Sequence, residues 1–128
     1  MEIYGSTFAG ASAVLMARVA YADGTLVAPE EIASAAYAVA EVDPCGLAPP
    51  TDVAGHTGVA LDVEQVLSTE LLDNPPWEVD EVGFNFRHEV DVTESPAFVT
   101  AGRRYRVQYV LTPTDGQPIV VRFFIEAL

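Results

Sequence analysis

Arg103-Arg104-Tyr105-Arg106-Val107-Gln108-Tyr109-Val110-Leu111 and, after Thr114-Asp115-Gly116, Pro118-Ile119-Val120-Val121-Arg122-Phe123-Phe124-Ile125-Glu126 are two alternating runs near the end of the chain. In the first, Tyr105, Val107, Tyr109 and Leu111 share one face while Arg104, Arg106 and Gln108 share the other; in the second, Ile119, Val121, Phe123 and Ile125 fall in register. A two-residue Asp115-Gly116 turn pairs Tyr109 with Arg122 and puts an arginine among core residues, because a slip of one residue exchanges the faces. A three-residue loop, with Thr114 and Asp115 in a type I turn and Gly116 left-handed, pairs Leu111 with Ile119, Tyr109 with Val121 and Val107 with Phe123. That register is the expected one. It sets Arg104 opposite Glu126 and Arg106 opposite Phe124 on the outer face, a charge pair and a cation–π contact of roughly 0.2–1 kcal/mol each.

Working back from the hairpin, Gly83 to Val92 gives a strand with Phe84, Phe86, His88, Val90 and Val92 against Asn85, Arg87, Glu89 and Asp91. Ser95-Pro96-Ala97-Phe98 connects it to the hairpin, with Phe98 expected to cap the core. Ser12 to Tyr21 reads as the first long strand, Ala13, Leu15, Ala17, Val19 and Tyr21 on one face. Asp23-Gly24 turns the chain and Thr25-Leu26-Val27 resumes extended structure. Pro29 to Val42 carries two signals: Pro29-Glu30-Glu31 has helix-start chemistry, whereas Ala35, Tyr37 and Val39 alternate as in a strand. We read a strand after a helical turn at Pro29 to Ile32.

Asp43 to His56 is rich in proline, glycine and small residues and reads as an exposed loop. Val59-Ala60-Leu61 is a short strand, and Asp62-Val63-Glu64-Gln65 has capping-box spacing for a short helix, although Val66-Leu67-Ser68-Thr69 suits extended chain equally. Asn74-Pro75-Pro76 stops what precedes it, and Trp77 is expected to cover one edge of the core. These short strands, punctuated by glycine and proline, indicate an all-β antiparallel sandwich with at most short helical turns. The 128 residues suit a single domain, with residues 1–11 as an extended N-terminal arm.

Charge narrows the function classes. The formal net charge is −13 without a single lysine, so phosphate-directed nucleic-acid binding is not expected. Residues 1–82 hold fourteen acids against Arg18, whereas residues 83–128 balance five acids with five arginines. That asymmetry suits a solvated acidic surface, or docking of the acidic part of one copy on the arginines of another. The amino terminus lacks a basic signal region, and Phe8 to Ala22 is short and interrupted by Arg18, so neither a signal peptide nor a membrane span is expected. Cytoplasmic synthesis is the expectation.

No catalytic or cofactor-binding constellation is legible. Cys45 is the lone cysteine, read as a free structural thiol. His88, on the apolar face of its strand, is expected to be satisfied by backbone rather than to act as a base, and His56 to be exposed in its loop. Two histidines without fixed spacing make no zinc site. The acids Asp73, Glu78, Asp80 and Glu81 lack calcium-loop spacing, and no serine has an evident base. The remaining candidates are interface residues: Arg87, Arg104, Arg106 and Arg122 on outer sheet faces, of one sheet or of two, with outward Val110, Val120 and Phe124, which exceed what solubility requires.

The succession Trp77-Glu78-Val79-Asp80, Gly83-Phe84-Asn85-Phe86-Arg87-His88, Gly102-Arg103-Arg104-Tyr105-Arg106-Val107 and the closing Asp115-Gly116 hairpin resembles immunoglobulin-like modules of tailed bacteriophages and prophages, such as the amino-terminal module of baseplate upper proteins. Its Gly-x-x-Tyr-x-Val lead into the penultimate strand looks like the tyrosine-bearing strand of immunoglobulin-like folds. The long loop from Asp43 to His56 and the lack of a following fibre region depart from that pattern. The resemblance implies a non-enzymatic structural or accessory component of a virion or phage-like particle, in tail, neck or capsid decoration, whose partners are other particle proteins or itself. The competing expectation is a carbohydrate- or surface-binding sandwich using Trp77 and Tyr4.

Overall fold

Alternation at a period of two dominates the fold. In the computed structural model, which describes residues 2–72 and 83–128, nine strands form two layers. The strands are β1 (Glu2–Thr7), β2 (Val14–Ala17), β3 (Ile32–Val42), β4 (Thr51–Asp52), β5 (Val59–Leu61), β6 (Leu67–Leu72), β7 (Phe84–Glu89), β8 (Arg104–Pro113) and β9 (Ile119–Ala127). One layer runs β1-β9-β8-β3-β4, with β5 also on β3; the other runs β2-β7-β6. The Asn74-Pro75-Pro76 stop, Trp77 and the acids Asp73, Glu78, Asp80 and Glu81 lie outside the described residues.

The hairpin has the expected register throughout. Leu111 faces Ile119, Tyr109 faces Val121, Val107 faces Phe123 and Arg104 faces Glu126. Gly116 takes the positive φ of 110° that the three-residue loop requires. Tyr105, Val107, Tyr109, Leu111, Val121, Phe123 and Ile125 are all buried between the layers. Tyr109 anchors them, edge-on to Phe86 at 4.8 Å between ring centroids and to Phe123 at 5.7 Å.

Pro29–Glu31 forms one 3-10 turn before β3, and the strand reading of this stretch holds. The pairing of β3 with β8 slips between Ile32 and Ser34, a bulge where the turn joins the strand. Asp62 caps α1 (Val63–Val66) through the Glu64 amide, and after that single turn the chain extends into β6.

Four expectations are corrected. Residues 2–7 are not an arm but an edge strand, β1, paired in parallel with β9; Ile3 packs against the core and Tyr4 stacks on Phe124. β2 is shorter than Ser12 to Tyr21 because Asn85 takes over the backbone beyond it. The Asn85 amide accepts from Val19 N at 2.6 Å and donates to Val19 O and Val27 O. Asn85 is therefore only 1% exposed, although alternation put it on the charged face of its strand. The loop from Asp43 to His56 includes the two-residue strand β4, and its last residue is buried.

The layers β2-β7-β6 and β1-β9-β8-β3 make an all-β sandwich. Tyr105 supplies its corner: the hydroxyl at the start of β8 accepts from Thr100 N at 2.9 Å, and the ring meets Phe98 edge-on. Gly102, at φ 83°, turns the chain between those two contacts.

Candidate functional site: the outer face of the larger layer

Because side chains alternate along a strand, the residues opposite the core on β1, β9, β8 and β3 make one continuous outer face. Registers give its rows. Ser6, Glu126, Arg104 and Val42 form the first; Tyr4, Phe124, Arg106 and Ala40 the second; Glu2, Arg122, Gln108 and Ala38 the third. Val120, Val110, Ala36 and, from β5, Ala60 make the fourth.

The face thus gathers six of the seven expected interface residues: Arg104, Arg106, Val110, Val120, Arg122 and Phe124, all half-buried. Arg87 is not with them. It lies exposed on β7, in the other layer, because parity along a strand does not say which sheet the strand joins. Arg104 meets Glu126 at 3.7 Å, and Arg122 Nε donates to Gln108 at 2.8 Å. Among the described residues no Arg106–Phe124 cation–π contact is present; Phe124 instead stacks on Tyr4, with centroids 5.3 Å apart and planes 19° apart. Arg106 Nε is shut off from solvent and has no hydrogen-bond partner. A charged donor in that state is costly, so this atom is under-satisfied in the isolated chain.

Sequence reading missed the contribution of β3. Ala36 and Ala38, with Ala40 beside Arg106, leave this part of the face low and flat. Their alternation with Ala35, Tyr37 and Val39 was the available signal.

The two histidines form a second cluster, inside the sandwich. His56 is 2% exposed rather than solvent-facing. Its Nδ1 accepts from the Tyr37 hydroxyl at 2.7 Å and its Nε2 donates to Ser95 O at 2.8 Å, tying β3 to two loops. Gly55 permits that approach: at φ 84°, an added Cβ there would stand 2.5 Å from Ser95 Oγ. His88 Nδ1 and the Tyr109 hydroxyl share a hydrogen bond at 2.7 Å, so a side chain rather than backbone satisfies it. Burial lowers the His88 pKa, against a smaller raising effect of Glu89. Burial likewise raises Tyr37 and Tyr109, holding both hydroxyls protonated. These bonds occupy the Nδ1 atom of each imidazole and give the cluster a packing role.

Cys45 is exposed in a loop that Asp43 organises by accepting from the amides of Cys45, Leu47 and Ala48. The Cys45 amide is the main reason the Asp43 pKa lies below the usual carboxylate value. Among the described residues, no group of three or more His, Cys, Asp and Glu is placed to hold a metal ion, and no helix is long and apolar enough to cross a membrane. No family model, curated protein or solved structure matches the chain.

Proposed function

We propose that this chain is a structural or accessory component of a phage or phage-like particle, in tail, neck or capsid decoration, and that it acts by protein–protein docking rather than catalysis. The observation that carries the docking part is the outer face of the β1-β9-β8-β3 layer. In a chain of net charge −13, this face concentrates Arg104, Arg106 and Arg122 around half-buried Val110, Val120 and Phe124. Arginine and aromatic residues around apolar ones are the composition of an interface core. The particle part rests on the resemblance of Gly83-Phe84-Asn85-Phe86 and Gly102-Arg103-Arg104-Tyr105 to phage immunoglobulin-like modules.

The test is quantitative mass spectrometry of density-purified particles from the producing culture. Fixed copy number relative to the major shell protein is expected, with Phe124→Asp and Arg106→Glu each cutting incorporation at least tenfold. Absence of the chain from particles, or full incorporation of both variants, would overturn the proposal.

One observation favours a second reading as a carbohydrate- or surface-binding module. Tyr4, 67% exposed, lies flat on Phe124 and offers an aromatic platform. Glycan-array binding lost on Tyr4→Ala is the outcome that would prefer it.

A further inference from the structure

The same outer face is polarised along its strands. Toward the start of β8 lie Arg104, Arg106 and Arg122. Glu126 sits 3.7 Å from Arg104 and Glu2 is the register neighbour of Arg122, which leaves Arg106 without an ion-pair partner among the described residues. In the other direction the face passes through the apolar row Val120, Val110 and Ala36. It then opens into a shallow groove between the Pro29–Glu31 turn and α1. Glu30, Asp62 and Glu64 line that groove beside Ser34 and Ala60, and among the described residues no arginine lines it, although Glu64 also borders a neighbouring hollow with Arg87.

The spacings are matched. At about 3.3 Å per residue and 4.8 Å per strand, the centre of the three arginines and the centre of the groove each lie roughly 12–14 Å from the Val110–Ala36 pair, on opposite sides of it. A half-turn about an axis beside that pair therefore exchanges the two charged regions. Four strands at that spacing and about nine residues of length give a projected face of roughly 600 Å², and its textured accessible surface approaches the ~800 Å² that each partner contributes to a standard interface.

We propose that this face is self-complementary and docks a second copy of this chain as an isologous dimer. The two-fold axis lies in the plane of contact beside the Val110–Ala36 pair, and Arg104, Arg106 and Arg122 of each copy meet Glu30, Asp62 and Glu64 of the other. Residues i and j of one copy then face j and i of its partner, as closed two-fold symmetry requires. Two chains of charge −13 repel at long range, and a contact that sets these cations on these acids opposes that repulsion where screening is weakest. The inference rests on the docking reading of the face given above and names its occupant.

Sedimentation equilibrium of the purified full chain, from about 10 to 500 µM, tests it over the affinity range of small interfaces. A monomer–dimer equilibrium is expected. Arg106→Glu and Glu64→Arg should each weaken dimerisation at least tenfold, and the two together, which restore the pairs with exchanged signs, should return it to within about threefold of the parent chain. Circular-dichroism melting establishes that each variant folds; Arg122→Gln and Glu30→Gln replace any that does not. A monomer throughout the range, a dimer indifferent to both single exchanges, or a double variant no tighter than the singles would overturn the dimer. A monomeric chain that is still incorporated into particles sinks the dimer and keeps the docking function. A charge-exchanged dimer absent from particles does the reverse.

Discussion

The two layers of the sandwich are held together by different means. In the larger layer, β8 is paired along nearly its whole length on both sides, with β9 from Arg104 to Leu111 and with β3 from Arg104 to Pro113. In the smaller layer, β2 keeps four residues of pairing with β7, and beyond Ala17 one side chain substitutes for a ladder, Asn85 closing on Val19 and Val27. A long ladder spreads backbone satisfaction over many bonds, each worth a modest net amount. A short one concentrates it on a single amide. The larger layer is therefore tolerant on its outer face, while the smaller layer has a point of failure.

Asn85→Leu is the most severe way to break this contrast. It leaves Val19 N and Val27 O without their partner, and Val19 O with Val27 N alone, beside residues that are 2% and 0% exposed. At about 1–3 kcal/mol for each of the two orphaned groups, a loss of at least ~2 kcal/mol is expected, visible in urea unfolding as a lower midpoint at unchanged slope. Gln108→Leu, an equal change on the outer face of β8, should stay within about 0.5 kcal/mol because Arg122 keeps water as a partner. A cost below ~1 kcal/mol for Asn85→Leu would show that the smaller layer does not depend on its amide.

Tyr105→Phe sharpens the comparison from the other side. The phenol bonds Thr100 N at 2.9 Å while its ring stays packed on Phe98, so the change removes one hydrogen bond and keeps the ring. Thr100 is exposed and its amide regains water, which limits the expected loss to about 1 kcal/mol. The larger layer should absorb this with β8–β9 pairing intact, seen as unchanged amide exchange at Val107 and Tyr109. Collapse of that protection would mean that the corner, not the ladder, holds β8.

The hairpin was legible in the sequence because every inward residue from Tyr105 to Ile125 is apolar, and a slip of one position would bury Arg122. β1 was not, since in Glu2–Thr7 only Ile3 and Thr7 are even half-buried, and an edge strand paired on one side leaves little pattern. Asn85 sits at an outward position by parity, and its role depends on Val19 and Val27, which are 66 and 58 residues away. His56 was unreadable for the same reason, with Ser95 39 residues further on. Of the candidate face, parity gave the residues of β8 and β9. It did not give the joining of Ala36 and Ala38 to that face beside Val110 and Gln108, nor the separation of Arg87, because assignment to a layer is a long-range property.

The smallest effect concerns the junction between the layers, where His88 of β7 is hydrogen-bonded to Tyr109 of β8. Burial disfavours the imidazolium, so the folded pKa lies below the ordinary value of 6.5. A depressed histidine pKa means that the unfolded chain binds the proton first. The stabilisation is complete above pH 6.5 and declines as pH falls from there through the folded pKa. His88→Gln keeps an acceptor for the Tyr109 hydroxyl but cannot titrate. Paired urea unfolding at pH 7.5 and 5.5 should show the parent chain losing more stability than His88→Gln, with a gap below about 1 kcal/mol. The other groups are common to both proteins and largely cancel in the difference. An equal loss in the two would mean that acid weakens the layers through those groups and that the His88–Tyr109 bond survives protonation, with the imidazolium as donor.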